Sequence, residues 1–307
     1  MLLFCACSSN VQLKYGDYFE EIDGLKLNYS IRGKGPEMLV GHVSSGKIGY
    51  QLSLQPLEEF FTMVYYEPRG TGQSEIPSSL EGYQQEFIVE EIEALRKHLA
   101  VDQIWLFGHS DQSAIALQYA LKFPQQTAGL ILSGTSWIGS QQESYERRAK
   151  SEKERAETSP WFAQVIQDWD DMIQYNKSTA PDGRDLTDAP IKWWCYDEIS
   201  AQKVIPIVRE IAKAGRRKPI NGEFVRESET ERQKYLNAQQ QFSSIQNNIL
   251  ILNGIDDTNN PPQYAKQLHQ NLPNSTLLLI DKAGHFPWIE NSEESFQSIE
   301  NWFNSLN

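Results

Sequence analysis

Short runs of β-branched, aromatic and aliphatic residues alternate with helical patterns along the first third of the chain. Most runs are bounded by glycine, proline or polar turn residues, which is typical of strands. They occupy residues 25–31, 38–40, 61–66, 103–107 and 129–132. Between two of them, Ile88, Ile92, Leu95 and Leu99 recur at helical spacing, and residues 114–121 repeat that pattern. This alternation predicts an α/β protein with helices covering a parallel sheet.

The pattern changes between residues 137 and 242, where the sequence is charged, aromatic and helix-like and has no convincing strand. Strands are predicted again at residues 248–252 and 275–280, and helices at 263–272 and 293–303. A plain loop of roughly 100 residues would be far too long. We therefore predict a helical cap over residues 137–242, inserted into a core formed by residues 15–136 and 243–307.

A serine motif follows the predicted strand 103–107 directly and precedes a predicted helix. Its sequence is Phe107-Gly108-His109-Ser110-Asp111-Gln112. A sharp strand-to-helix turn exposes a serine hydroxyl above the sheet, and the helix N-terminus directs backbone N–H groups at a developing oxyanion. Gly108 is the small residue of this turn, whereas Gln112 replaces the second glycine of G-x-S-x-G. Ser110 is our candidate nucleophile, and the alternative is an ordinary helix N-cap serine.

A serine hydroxyl needs a base that removes its proton, and two later strands lead to suitable residues. The strand at 248–252 leads to Asp256 and Asp257, two carboxylates at the edge where α/β sites are built. The strand at 275–280 runs into a loop with a single histidine, His285. The strand before the cap leads to Ser133 and Gly134 and offers no carboxylate. The acid is therefore expected from the later strand, where either aspartate fits.

Four segments resemble the cap-bearing α/β-hydrolases grouped with proline iminopeptidases and related esterases. They are Gly41-His42-Val43-Ser44-Ser45-Gly46, Glu67-Pro68-Arg69-Gly70-Thr71-Gly72-Gln73-Ser74, the serine motif, and Gly254-x-x-Asp257 with Gly284-His285. The order Ser, Asp, His along the chain is also that of this fold. The resemblance spans nearly the whole chain outside the cap. It implies the α/β-hydrolase fold, with a mostly parallel sheet, helices on both faces and a cap inserted after the sixth strand.

The resemblance also implies roles for individual residues. In the family the acid lies three residues after the glycine, which selects Asp257 from the two aspartates. The oxyanion N–H groups would come from Asp111 and from Val43 or Ser44 in the early turn. Proline iminopeptidases usually have His-Gly-Gly-Pro-Gly where this chain has His-Val-Ser-Ser-Gly. The oxyanion loop therefore differs from theirs in detail.

Charge narrows the range of partners. The formal net charge of −13 repels phosphate backbones and anionic lipid headgroups, which argues against a nucleic-acid partner. No stretch approaches the roughly 20 apolar residues of a membrane-spanning helix, so no membrane contact is expected for the folded body. The expected partner is a small-molecule or short-peptide substrate, and the predicted reaction needs no metal or organic cofactor. The oligomeric state stays open.

The three cysteines are Cys5, Cys7 and Cys195, too few and too unevenly spaced for a disulfide framework or a metal site. The first residues, MLLFCACSSN, contain a short apolar run that ends in small residues and Cys7. They are similar to the end of a bacterial lipoprotein signal, but lack its basic n-region and full apolar length. Residues 1–14 are therefore either a signal remnant or a disordered N-terminus. Two locations stay open, the cytoplasm or export as a lipoprotein anchored through Cys7.

The predicted cap holds five of the eight tryptophans. Large aromatic side chains can line an apolar substrate pocket or simply form the core of the cap. The pocket candidates are His42, Trp137, Trp193, Trp194 and Phe286. Acidic cap residues can bind a substrate amine, as cap carboxylates do in proline iminopeptidases, or can form a solvated helix face. The candidates of this kind are Asp168, Asp170 and Asp171.

Together these features predict a serine hydrolase that cleaves a small ester or amide bond. Ser110 would attack the carbonyl, His285 would remove the proton and Asp257 would fix the imidazole tautomer, before water resolves the acyl-enzyme. Release of an N-terminal proline is one specialised form of this reaction. The alternatives are acyl transfer to an alcohol or thiol and a non-catalytic ligand-binding member of the same fold. The second is disfavoured because all three triad positions are filled.

Overall fold

The computed structural model describes residues 13–135, 141–214 and 228–306. Eight strands lie within these ranges. They are β1 (Gly16–Ile22), β2 (Leu25–Gly33), β3 (Glu37–Val40), β4 (Thr62–Tyr66), β5 (Ile104–His109), β6 (Thr127–Ser133), β7 (Asn248–Gly254) and β8 (Ser275–Ile280). They form one sheet in the order β1-β2-β4-β3-β5-β6-β7-β8. β2 is antiparallel to β1 and β4, and β3 to β8 run parallel to one another.

The central strands are apolar on both faces because helices cover both sides of the sheet. In β7, for example, residues 249–252 are all fully buried. Each of the seven predicted strands has a counterpart in the structure, and no strand end differs by more than two residues. The predicted fold class, a mostly parallel α/β sheet with helices, is confirmed.

The strand β1 has no counterpart among the predicted elements. Its sequence GDYFEEI carries three acidic residues, and most of its side chains are exposed or half-buried, so its hydrophobic signal is weak. The strand forms because it pairs with β2 through a two-residue turn at Asp23 and Gly24, both with positive φ. Such turns match the twist of an antiparallel hairpin, and an Asp-Gly pair is the sequence signal for one.

Helices lie on both faces of the sheet and in the segment after β6. They are α1 (Ile48–Ser53), α2 (Gln85–His98), α3 (Asp111–Lys122), α4 (Gln141–Thr158), α5 (Pro160–Tyr175), α6 (Ala189–Trp193), α7 (Glu198–Ala214), α8 (Glu229–Gln239), α9 (Pro262–Asn271), α10 (Pro287–Glu290) and α11 (Ser292–Asn304). One apolar cluster joins α2, α3 and α9 to one face of the sheet. A second cluster joins α1, α10 and α11 to the other face.

The chain leaves the sheet after β6 and returns at β7, and α4 to α8 lie between these strands. Apolar residues of α4, α5 and α6 form a separate small core around Phe162 and Trp193. Tyr235 of α8 belongs instead to the large cluster that covers the sheet. The end of the insertion is therefore packed against the main body, while its first helices form a unit with its own core. Among the helices of the described ranges, none is long and apolar enough to cross a membrane.

Candidate active site

Ser110 lies at the sharp turn between β5 and α3. Its backbone has φ 53° and ψ −125°, a conformation that side-chain-bearing residues rarely adopt. The Ser110 backbone N–H donates to the carbonyl oxygen of Ser133 in the neighbouring strand at 3.0 Å. A Cβ at Gly108 would lie 2.9 Å from the Cα of Ser113, so a glycine is needed where the helix passes back over the strand. The turn places Ser110 at the N-terminus of α3, half-exposed to a cavity.

Asp257 and His285 are hydrogen-bonded at the same edge of the sheet. Nδ1 of His285 lies 2.9 Å from Oδ2 of Asp257, and both side chains are almost fully buried. The other carboxylate oxygen of Asp257 accepts the backbone N–H of Asn260 at 2.8 Å. The neighbouring Asp256 is half-buried, and its own backbone N–H donates to Ala283. Of the two adjacent carboxylates, it is that of Asp257 that contacts the histidine.

The other ring nitrogen of His285, Nε2, lies 3.4 Å from Nδ2 of Asn259. A carboxylate oxygen can only accept, so the contact with Asp257 places a proton on Nδ1 of His285. His285 and Ser110 both line the same cavity.

A second buried histidine, His109, forms a hydrogen bond to the loop that carries His285. Nε2 of His109 lies 3.0 Å from the carbonyl oxygen of His285, so this nitrogen donates. Nδ1 therefore accepts the hydroxyl of Tyr50 at 2.9 Å. Burial, followed by the nearby His285 and His42 rings, lowers the pKa of His109 well below its ordinary value. His109 is thus a neutral hydrogen-bonding residue that fixes the main chain of His285.

The turn after β3 carries the predicted oxyanion residues Val43 and Ser44. Backbone bonds between His42 and Gly46 close this turn in both directions, at 3.1 and 2.8 Å. The Ser44 N–H donates to Nδ1 of His42 at 3.1 Å, so it is engaged within the turn. The third predicted donor, Asp111, is the first residue of α3, where a backbone N–H has no intrahelical acceptor.

A cavity of about 250 Å³ lies between the sheet edge and the cap. One wall is an aliphatic stripe on α7 with the i, i+3, i+4, i+7 spacing of a single helix face. The stripe consists of Val204, Ile207, Val208 and Ile211. Sequence reasoning did not find this stripe, although its helical spacing is visible in the sequence. The wall makes the cavity suited to an apolar group.

The five pocket candidates have different places. His42, Trp194 and Phe286 lie on the cavity wall. Trp193 does not lie on that wall: its ring packs against Trp169 with centroids 5.1 Å apart, and its indole N–H donates to Glu152 at 2.7 Å. Both contacts hold Trp193 inside the cap core. Trp137 lies outside the described residues, as does Cys7.

Two charged residues, Glu290 and Arg155, connect residues 194–196 of the cap to the loops that carry Asp257 and His285. Glu290 accepts the backbone N–H groups of Tyr196, Gly284 and Phe286 at 2.7 to 3.0 Å. Burial raises the pKa of this carboxyl to about 7 although these bonds oppose the shift. A Cβ at Gly284 would lie 2.2 Å from the Trp194 carbonyl oxygen, so the loop and the cap are in close contact.

The second of these residues is Arg155 of α4. Its guanidinium donates to the carbonyl oxygens of Cys195 and Tyr196 at 2.5 and 2.6 Å. It also donates to the carbonyl oxygen of Asp256 at 3.2 Å and to the hydroxyl of Thr258 at 3.0 Å. Arg155 therefore bonds to both neighbours of Asp257 and to the cap at the same time.

Two of the three acidic candidates for an amine site are paired with an arginine of the cap. Asp168 and Asp171 both form ion pairs with Arg184, and Gln164 and Gln167 donate to their carboxylates. Neither aspartate lies on the cavity wall described above. Within residues 13–135, 141–214 and 228–306, no group of three or more His, Cys, Asp or Glu side chains is arranged to hold a metal ion.

The comparisons with known proteins agree with this fold. Residues 41–292 match the family model described as alpha/beta hydrolase fold, and the chain belongs to that family. A proline iminopeptidase of Clostridium botulinum is 25% identical over 270 residues, which cover 80% of this chain and 82% of that relative. A proline iminopeptidase of Clostridioides difficile is 23% identical over 301 residues, which cover 95% and 99%. Family membership and these enzyme relatives make the chain a hydrolase.

Solved structures are similar over nearly the same length. An alpha/beta fold family hydrolase from Bacillus anthracis has a TM-score of 0.70 at 17% identity, covering 94% of this chain and 99% of that one. A thermophilic esterase from Thermogutta terrifontis has a TM-score of 0.66 at 20% identity, covering 94% and 98%. At sequence identities this low, the structural similarity supports the fold alone.

Proposed function

We propose that the protein is a serine hydrolase of small esters or amides, with Ser110 as nucleophile, His285 as general base and Asp257 as its orienting acid. The observation that carries this proposal is the 2.9 Å bond from His285 to Asp257 beside a cavity that His285 and Ser110 share. A histidine bonded to a carboxylate, on a cavity that also receives a serine hydroxyl at a strand-to-helix turn, is the set of groups that nucleophilic catalysis requires.

In the proposed reaction, Nε2 of His285 takes the proton of Ser110 as the serine oxygen attacks the substrate carbonyl. Backbone N–H groups of Asp111 and of Val43 in the early turn stabilise the oxyanion, since the Ser44 N–H is engaged with His42. The protonated histidine then donates to the leaving group, and Asp257 stabilises the imidazolium. Water, activated by the same histidine, releases the acyl group and restores Ser110.

Proline iminopeptidase activity is a finer form of this proposal. Relatives with that name support it. The aliphatic wall on α7 suits a prolyl ring as well as a short acyl chain. The pairing of Asp168 and Asp171 with Arg184 favours substrates that need no cap carboxylate for an amine. A simple ester or amide therefore has the broader support.

The test compares a proline arylamide with a short-chain aryl ester, each with wild type and with Ser110→Ala. We expect Ser110-dependent turnover of the ester and a loss on the order of 10⁴-fold or more in the variant. Ser113→Ala is the matched control, since the Ser113 hydroxyl of α3 donates to the Gly108 carbonyl oxygen of β5 and Ser113 does not line the cavity. Ser110-dependent amide turnover would establish the peptidase form. Equal rates in wild type and Ser110→Ala would contradict the proposal.

A further inference from the structure

One positive charge lies on the cavity wall. Arg148 of α4 lines the cavity together with Ser110 and His285, and its side chain is half-buried. Its Nε donates to the carbonyl oxygen of Asn259 over a long 3.4 Å. No carboxylate among the described residues forms an ion pair with Arg148. A charge partly removed from water is costly without a counterion, so this guanidinium is suited to an anion that enters the cavity.

The contacts of Asn259 place this charge close to the reacting atoms. The carbonyl oxygen of Asn259 accepts from Arg148, and its side-chain amide lies 3.4 Å from Nε2 of His285. One residue therefore separates the guanidinium from the proposed general base. A group bound to Arg148 would lie within the length of a small substrate from the scissile carbonyl.

Three other arginines of the cap, Arg147, Arg155 and Arg184, have partners within the protein. Arg147 donates to the hydroxyl of Tyr264 at 2.6 Å and lies over that ring. Arg155 has four acceptors, and Arg184 pairs with three aspartates. Arg148 differs from these three because it forms one hydrogen bond to the described residues, and that bond is long at 3.4 Å. Its charge is therefore not explained by the architecture of the cap.

The cavity wall also carries one carboxylate, that of Asp111. Asp111 is exposed and stands in the first turn of α3, where the helix dipole stabilises a negative charge. Its presence is therefore accounted for by the helix, unlike that of Arg148. Among the described residues of the cavity wall, Arg148 is therefore the charged residue whose charge its surroundings do not explain.

We propose that Arg148 binds a carboxylate of the substrate, so that the favoured esters or amides carry a carboxylate a few bonds from the scissile carbonyl. This inference rests on the proposed hydrolase function. A guanidinium presents its N–H groups in a planar fork that matches a carboxylate in two parallel hydrogen bonds. The aliphatic stripe on α7 would contact the apolar part of the same molecule.

The experiment uses two matched substrate pairs. For a charge on the acyl side, the pair is mono-4-nitrophenyl adipate and its methyl ester. For a charge on the leaving group, the pair is 4-acetoxybenzoate and its methyl ester. Each is measured with wild type, Arg148→Gln and the neighbouring control Arg147→Gln, and the Ser110→Ala rate is subtracted as background. In one pair we expect kcat/KM to favour the carboxylate about 10- to 100-fold, the size of a charge-assisted hydrogen bond.

Arg148→Gln should remove that preference, because it lowers kcat/KM for the carboxylate far more than for the neutral methyl ester, while Arg147→Gln keeps it. Wild type that favours the methyl ester in both pairs would overturn the inference, as would Arg148→Gln that lowers both members of a pair equally. In those cases, Ser110-dependent turnover of the neutral esters would leave the proposed function intact. Absence of Ser110-dependent turnover for all four compounds would contradict the proposed function and the inference that rests on it.

Discussion

The backbone N–H of His285 donates to the backbone carbonyl oxygen of Trp194 at 2.8 Å. Trp194 belongs to the cap, between α6 and α7, so the proposed general base is held by the cap as well as by the loop after β8. Any movement of this cap segment would move the imidazole with it. The cap and the proposed general base are therefore joined by a direct main-chain hydrogen bond.

Asp257→Asn should abolish most of the activity, whereas Asp256→Asn should not. An asparagine at position 257 would favour the wrong imidazole tautomer, and the comparable change in serine proteases costs on the order of 10⁴-fold in kcat. Asp256 has the same charge one residue away without contacting His285, so it is the matched control. Steady-state kinetics on an aryl ester check both variants. A larger loss in Asp256→Asn would reassign the acid.

Glu290→Gln should lower kcat about 10- to 100-fold and leave KM within about threefold. The amide has one accepting oxygen, so it cannot serve the N–H groups of Tyr196, Gly284 and Phe286 together. The resulting shift of the His285 loop disturbs alignment rather than substrate contacts, and small misplacements have effects of this size. Glu293→Gln, an exposed change on α11, is the control. A change in KM with unaltered kcat would contradict a positioning role.

The same carboxyl should give stability a pH dependence. Burial raises its pKa to about 7 from an ordinary value of 4.5, so between these values the folded state binds more protons there than the unfolded state. The contribution of this group is fully present below about pH 4.5 and is lost as the pH rises through about 7. Urea unfolding of wild type and Glu290→Gln across this range should show their free-energy difference falling with pH. A difference that rises with pH would contradict this assignment.

Arg155→Met should lower the free energy of unfolding by about 3 kcal/mol, because buried acceptors lose their donor. Those acceptors lie in the cap and beside Asp257, so activity should fall as well. Arg209→Met is the control, since Arg209 is exposed and forms one ion pair with Asp188, and such pairs contribute less than about 1 kcal/mol. Denaturant unfolding checks both variants. Equal losses of unfolding free energy in the two variants would show that the contacts of Arg155 stabilise the fold no more than an exposed ion pair does.

Ile207→Phe should shorten the acyl chain that the enzyme accepts. The larger side chain would fill part of the cavity of about 250 Å³. We expect kcat/KM for an aryl hexanoate to fall about tenfold or more, and that for an aryl acetate to change less than about threefold. Ile199→Phe, on the same helix at a site that is 67% exposed, should affect neither. Equal effects on both esters would show that Ile207 does not limit the chain length.

Local sequence patterns were sufficient to predict seven of the eight strands that the structure describes and the turn that carries Ser110. The strand, the glycine, the serine and the helix are consecutive, so the geometry of the turn follows from neighbours along the chain. His285 and a carboxylate at position 256 or 257 could be proposed in the same way, because each follows a parallel strand and parallel strands end at one edge. The choice of Asp257 over Asp256 came from the family resemblance.

The inner surface of the cap could not be predicted in this way. The helical spacing of Ile207 and Ile211 is visible in the sequence, but nothing local shows which face of α7 turns toward Ser110. The tryptophans gave the stronger signal and led to Trp193, which lies in the cap core. Glu290 and Tyr196 are 94 residues apart, and a contact over that separation exists only once the cap has packed onto the sheet.

The backbone of Ser110 has φ 53°, and this conformation lowers the stability of the fold at the residue that we propose as the nucleophile. A residue held in so sparsely populated a conformation costs about 1–3 kcal/mol, and glycine would relieve that strain at the expense of the hydroxyl. Ser110→Gly should therefore unfold at a higher denaturant concentration than Ser110→Ala, although both would be inactive. A gain in stability at this position would then come only with loss of the proposed nucleophile.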